Sequence, residues 1–200
     1  LAIISANAEV LQYKGDGNEW TQNIIDQTKH MGKLINQLLV LAKLDEVQEK
    51  SEKQEADLKR LLEETIEPFE EVATQKKVTL KLHLEEGVTI RVNREQIAQL
   101  VSILTENAAK YVNDGGKIVW RLTKTQHGAV LVVKNTTEKE LPDTKRMFDR
   151  FYRSDSSRSS KTGGQGIGLS IAKKIVDSHK GSITAKAGDG MVTFRVSLPK

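Results

Sequence analysis

GGQGIGLSIAKKIV, Gly163 to Val176, sets three glycines at alternate positions, Gly164, Gly166 and Gly168, against the start of an amphipathic helix. Glycine takes φ > 0 without steric penalty and lets backbone approach a ligand closely. The first N–H groups of a helix have no partners inside it, so they form a ready anion site, phosphate above all. The spacing G-G-x-G-x-G-L is not the G-x-x-x-x-G-K-[ST] of a P-loop, and it does not follow a strand at once as a dinucleotide fingerprint does. Alone, such a cluster is more often a plain turn. Its neighbours decide.

Immediately upstream lies FDRFYRSDSSRSSKT, from Phe148 on, in which aromatics and arginines precede a Ser-rich stretch, Ser154 to Thr162, with little apolar content. Further back, LTENAAKY (Leu104 to Tyr111) belongs to a helix from about Arg94 to Val112 carrying Ile97, Leu100, Val101, Leu104 and Ala108. Asn is a poor helix former, so Asn107 there suggests a purpose; Lys110 and Tyr111, at i+3 and i+4, share its face. Strands are expected at Val78 to Leu84, Val88 to Val92, Lys117 to Thr123, Ala129 to Lys134, Ser182 to Ala187 and Val192 to Leu198. One helix is expected over Leu58, Leu61, Leu62, Ile66, Phe69 and Val72, ending after Ala73. Helices on one face of a mixed sheet make an α+β sandwich.

The N-terminal stretch reads as a helical hairpin broken at Lys14 to Asn18, where KGDGN holds two glycines. Leu1, Ile4, Ala8 and Leu11 follow a bundle seam, and Ile24, Met31 and Leu38 recur every seven residues in a helix from Glu19 to about Leu44, with Leu34 and Leu41 three residues after the last two. Ile25, Ile35 and Leu39 widen the stripe beyond one seam. Two helices cannot hide such a face from water but four can, which predicts a homodimer through residues 1–45. The polar stretch from Asp45 to Glu55 reads as a linker, giving a hairpin over 1–46, a linker over 47–55 and a second domain over 56–200.

Composition narrows the class. The chain is 200 residues long, 38% hydrophobic and without cysteine, so disulfides and thiolate metal sites are excluded and a cytosolic setting is suited. Its longest apolar runs are too short to span a bilayer, and no signal peptide is visible. The net charge of +4 divides unevenly: residues 141–200 hold 12 Lys/Arg against 5 Asp/Glu, and residues 1–140 hold 19 against 22. A basic C-terminal third suits an anionic ligand. No stacking platform or known binding motif supports nucleic acid as that ligand.

In order and separation, LTENAAKY, FDRFYR and GGQGIGL resemble the kinase core of bacterial sensor histidine kinases, whose ATP-binding domain has the GHKL (Bergerat) fold shared with gyrase, Hsp90 and MutL. The resemblance runs from Leu1 to Pro199. It implies an ATP–Mg²⁺ site in which Asn107 is the metal ligand and Asn107 and Lys110 are catalytic. Nucleotide contacts are implied for Asn107, Lys110, Tyr111, Asn135, Thr137, Phe148, Arg150, Arg153, Gly164, Gly166, Ile167, Gly168 and Leu169. The Ser-rich stretch resembles the ATP lid, with Phe148 and Phe151 packing beneath it and Arg150 and Arg153 able to reach phosphates.

The resemblance also implies γ-phosphoryl transfer to a histidine and then to an aspartate of a response regulator receiver domain. The family's acceptor precedes a Thr-Pro pair, and Leu1-Ala2-Ile3-Ile4 resembles the residues just after that pair, so the acceptor is expected upstream of this chain. Neither His30 nor His179 inherits its role; His179 is expected to favour its helix C-terminus electrostatically. A cytoplasmic fragment is implied, its parent anchored in the bacterial membrane through segments outside this chain.

One departure stands out. Where the family has D-x-G-x-G at a strand end, this chain has Asn135-Thr136-Thr137-Glu138-Lys139. An Asn carbonyl still accepts from adenine but without the charge-assisted component, and Thr137 and Lys139 add Cβ atoms. The alternative is therefore a dimeric pseudokinase or scaffold with weak nucleotide binding. A gyrase- or Hsp90-like ATPase would carry an acidic base where Ile103 stands.

Overall fold

Polar, glycine-containing sequence separates two amphipathic helices, α1 (Ala2–Tyr13) and α2 (Glu19–Glu46), at the chain's N-terminus. The computed structural model describes residues 1–15, 19–46, 52–138, 143–152 and 166–200. It divides into two units, Leu1–Glu46 and Val47–Lys200.

In the first unit the helices pack as a hairpin along Ala8, Thr21, Ile25 and Thr28, all buried. The hydroxyl of Thr28 donates to the Ile24 carbonyl at 2.7 Å, satisfying the polar atom within its own helix. Gln12 Nε2 donates to Gln22 Oε1 at 2.8 Å across the pair. Ile25 is the isoleucine that this seam buries, whereas its neighbour Ile24, with Met31 and Leu38 of the heptad row, stays exposed. The row expected from the sequence thus lies outside the intramolecular seam.

The first strand of the second unit, β1 (Gln54–Asp57), overlaps the end of the stretch that reads as linker. Its polar sequence carries no period, but pairing with β3 (Thr89–Val92), Ala56 opposite Ile90, orders it as a strand. Asp57 then caps α3 (Leu58–Ile66) by accepting from the backbone N–H groups of Lys59 and Arg60. The single helix expected here is two, α3 and α4 (Phe69–Gln75). Pro68 between them has no N–H to donate back into the helix, and its ring crowds the preceding turn.

Beyond β2 (Thr79–Leu84) and β3 runs α5 (Arg94–Tyr111), capped by Asn93, whose side chain accepts from the Gln96 N–H. Strands β4 (Lys117–Thr125) and β5 (Gly128–Thr136), helix α6 (Gly168–Ser178), and strands β6 (Ser182–Gly188) and β7 (Met191–Pro199) complete the unit. The main sheet has the order β2-β4-β5-β7-β6, with β2 and β4 parallel and the other pairs antiparallel. A row across it, Leu82–Trp120–Val133–Phe194–Ala185, includes the largest core side chains, Trp120 and Phe194. Helices α5 and α6 contact each other, and the sheet contacts α5 through β5 and α6 through β6. This is the α+β sandwich expected from the order of elements.

Candidate functional site

Helix α5 presents its last two turns to the site. Leu104 and Ala108 are buried in the core, which leaves Asn107, Lys110 and Tyr111 half-buried at the helix border. Asn107 is therefore not sealed in the core. Lys110 Nζ lies 4.9 Å from the Tyr111 ring centroid, a cation–π contact. Lys76 Nζ donates to the Ala109 carbonyl at 2.8 Å and satisfies a terminal acceptor of this helix.

Against α5 sits the start of α6. Gly166 has φ +72°, and a Cβ there would lie 2.6 Å from the Tyr152 carbonyl oxygen and 2.7 Å from the Phe151 carbonyl carbon, so only glycine fits. Its own carbonyl accepts the Phe151 N–H at 2.8 Å, which fastens the aromatic-arginine segment to the glycine turn. Gly168 differs. A Cβ there would only touch Ile103 at 3.5 Å, ordinary contact, and its φ lies outside the left-handed range. The fold itself does not require glycine at 168. Ile167 is buried and occupies the N-cap without a side-chain hydrogen bond, so the N-cap residue itself leaves the first N–H groups of α6 to other acceptors. Leu169 is next along the chain, half-buried.

Asn135 lies within β5 rather than after it, paired with Ile118 on one side and Val192 on the other. It is buried, and its Nδ2 donates to the Thr136 carbonyl at 3.1 Å. Thr137 is buried too, its N–H donating to the Gly190 carbonyl at 2.8 Å. The altered strand end is thus integrated into the sheet, at the end of its central strand. Lys139 lies outside the described residues, as do Arg153 and Gly164.

In the segment before the lid-like stretch, Phe148 meets Phe194 edge-to-face, with centroids 6.4 Å apart and planes at 77°. Phe194 pairs with Val133, two residues from Asn135, so Phe148 is anchored beside the same row. Phe151 does not pack as expected: it is 64% exposed, with φ +63° imposed by the turn that meets Gly166. Arg150 is exposed, and the Arg146 guanidinium lies 5.1 Å from the Tyr152 ring centroid. Among the described residues no group of His, Cys, Asp and Glu is arranged to hold a metal ion.

His179 does not act as a charged residue at the helix end. It is buried, and its Nδ1 lies 2.7 Å from the Ile175 carbonyl while its Nε2 accepts the Asn93 N–H at 3.1 Å. Those partners require Nδ1–H and a bare Nε2, a neutral ring. Burial pushes its pKa below the ordinary histidine value; the Ile175 hydrogen bond opposes this and Lys53 adds to it. The neutral ring ties the end of α6 to the cap of α5, the two helices that build the site. Sequence reading missed this bridge, although Asn93 three residues before Gln96 is a cap signature.

Residues 92–200, from the end of β3 through β7, match the family described as histidine kinase-, DNA gyrase B- and HSP90-like ATPases. The chain belongs to that family. Within it the chain is a sensor histidine kinase core. It is 32% identical over 202 residues to the sensor protein DltS of Streptococcus agalactiae, covering 100% of this chain and 50% of that protein. The catalytic domain of histidine kinase ThkA superposes with a TM-score of 0.66 at 27% identity, covering 74% of this chain and 96% of that one. The Acinetobacter baumannii histidine kinase AdeS shares the fold over 99% of this chain and 94% of its own, with a TM-score of 0.75 at 19% identity. The chain spans about half the length of DltS.

Proposed function

We propose that residues 56–200 bind ATP with Mg²⁺ and transfer its γ-phosphoryl group to a histidine upstream of Leu1, from which it passes to an aspartate of a response regulator. In this reading residues 1–46 form the dimerisation hairpin, 47–55 join it to the catalytic domain, and further segments anchor the parent protein in the membrane. No helix among the described residues is long and apolar enough to cross a membrane. The observation that carries the proposal is the meeting of α5, with Asn107 and Lys110, and the uncapped, glycine-started α6, fastened by Gly166 to the Phe148–Tyr152 segment.

The residues fit their proposed ligands. Asn107 offers one amide oxygen, and magnesium commonly draws its remaining ligands from phosphate and water. When bound, the ion neutralises phosphate charge. The chain's own residues position the nucleotide: N–H groups of α6 receive phosphate oxygens, Lys110 supplies a mobile cation, and Tyr111 with Asn135 borders the base. Gly168 adds an independent sign of close ligand approach, because the protein alone leaves room there for a Cβ.

Calorimetric titration of the 200-residue chain with ATP and a non-hydrolysable analogue, with and without Mg²⁺, tests the reading. Magnesium-dependent binding is expected. Failure to bind would favour the second reading, a dimeric scaffold, for which the burial of Asn135 and Thr137 at the end of β5 is the specific observation. With labelled ATP, no phosphohistidine is expected on this chain; label at His30 or His179 would overturn the assignment of the acceptor.

A further inference from the structure

The face of the five-stranded sheet turned away from α5 and α6 has a one-sided composition. Strand alternation and register bring Lys81, Lys134 and Lys186 into one row, and Arg121 and Arg195 into the next. Lys117 lies on the same face, on the register row opposite Thr79. All six are exposed, and no Asp or Glu occupies an outward position on any of the five strands. None of the six makes an ion pair among the described residues.

Four of these residues precede position 141, so they lie outside the basic C-terminal third seen in the sequence. The sheet gathers them. At about 4.8 Å between neighbouring strands, cations two strands apart stand about 10 Å from each other. That is near a Debye length, close enough for unpaired like charges to repel. An acidic stretch lies on the helical layer instead: Glu63, Glu64, Glu67, Glu70 and Glu71 are exposed along α3 and α4, with no Lys or Arg among residues 63–71. α3 packs on α5, so this acidic stretch lies on the helical layer, where the basic residues of α5 and α6 are also found, whereas the charged residues of the outward sheet face are cations alone.

Three kinds of anionic partner answer to such a face. A nucleic acid duplex is read by an element inserted into a groove, a helix or two-stranded ribbon, which the middle of a five-stranded sheet cannot provide. Single strands need aromatic stacking platforms, and no outward position holds Phe, Tyr or Trp. A stable protein interface needs buried aromatic or large apolar anchors; here the central outward apolar residues are Val119, Val130 and Val132. A bilayer rich in anionic headgroups needs only a spread of cations, each adding about fivefold to binding. We propose that this sheet face docks on anionic lipid headgroups, holding the catalytic unit against a membrane surface by a contact separate from any membrane-spanning anchor.

The test is sedimentation of the 200-residue chain with vesicles of phosphatidylglycerol and phosphatidylcholine, against vesicles of phosphatidylcholine alone, at low and high salt. Binding to the anionic vesicles alone, lost at high salt, is expected. The triple variant Arg121→Gln, Lys134→Gln, Arg195→Gln should bind about a hundredfold more weakly. A control with the same charge change elsewhere, Lys14→Gln, Lys29→Gln, Lys173→Gln, should lose far less. Circular dichroism of both variants verifies the fold, and single substitutions at the same three sites replace the triple variant if it unfolds. Equal losses in the two triple variants, no preference for anionic vesicles, or tighter face-dependent binding to duplex DNA or to an acidic protein would each overturn the proposal.

Discussion

In the hairpin, Ile4, Val10, Leu11, Ile24, Met31, Ile35, Leu38 and Leu39 stand 42–55% exposed, whereas Leu58, Leu62, Trp120 and Phe194 of the second unit are 0–1% exposed. Both regions are rich in apolar residues at helical or strand spacing; only one closes its core within the chain. A sheet with helices across one face buries that whole face, while two helices bury only the strip between them. The second unit is thus a complete folding unit. In the proposed reading the hairpin is half of one, completed by a second copy, and its stability would then depend on concentration.

Charge on the exposed helical stripe should produce the largest effect. Ile35→Glu with Leu38→Glu would desolvate carboxylates in the proposed four-helix seam, weakening dimerisation by about 4 kcal/mol, roughly a thousandfold. Sedimentation equilibrium over a concentration series measures it. A chain already monomeric without the substitutions at high concentration would break the comparison, because the stripe would then need another cover.

Leu62→Ala should act on the other side of the comparison. The cavity it leaves should cost the second unit about 3 kcal/mol in denaturant unfolding, with no change in association. Equal effects on both would mean that the two units do not fold independently.

Asn135→Asp replaces an amide that donates to the Thr136 carbonyl with a buried carboxylate that cannot. Stability of the unliganded chain should fall on this change. ATP affinity should rise by up to about tenfold, as a charged acceptor replaces a neutral one. If affinity falls as well, Asn135 is an adapted member of the pocket and the scaffold reading loses its support.

The smallest effects concern the α5–α6 tie. Asn93→Ala removes a cap and should cost about 1 kcal/mol by thermal unfolding. His179 has a folded pKa below its unfolded value, so the stability its neutral ring provides is fully present above about pH 6.5. It should be lost as pH falls from there through the folded pKa. His179→Gln should flatten that part of the pH–stability curve while leaving dimerisation unchanged.

Helix and strand periods located most elements from sequence, since the apolar residues of α5, β4, β5 and α6 repeat at 3.6 or 2 within single segments. The glycine motif, Asn107 and the exposed helical stripe were legible for the same local reason. Pro68 was visible, yet the apolar residues on both sides of it kept to one period, and the break came from backbone chemistry that the period ignores. β1 has no period and exists through its pairing with β3. What distinguishes Gly166 from Gly168 depends on which backbone and side chains approach them, Phe151 and Tyr152 in one case and Ile103 in the other. The His179–Asn93 tie and the basic sheet face likewise join residues far apart along the chain. Sequence determined the local conformations and the motif spacing because steric preference and amphipathic period act over a few residues. Tertiary structure decided the burial of Asn135, the neutrality of His179 and the gathering of six cations, because burial and charge proximity depend on strand register and packing between distant segments.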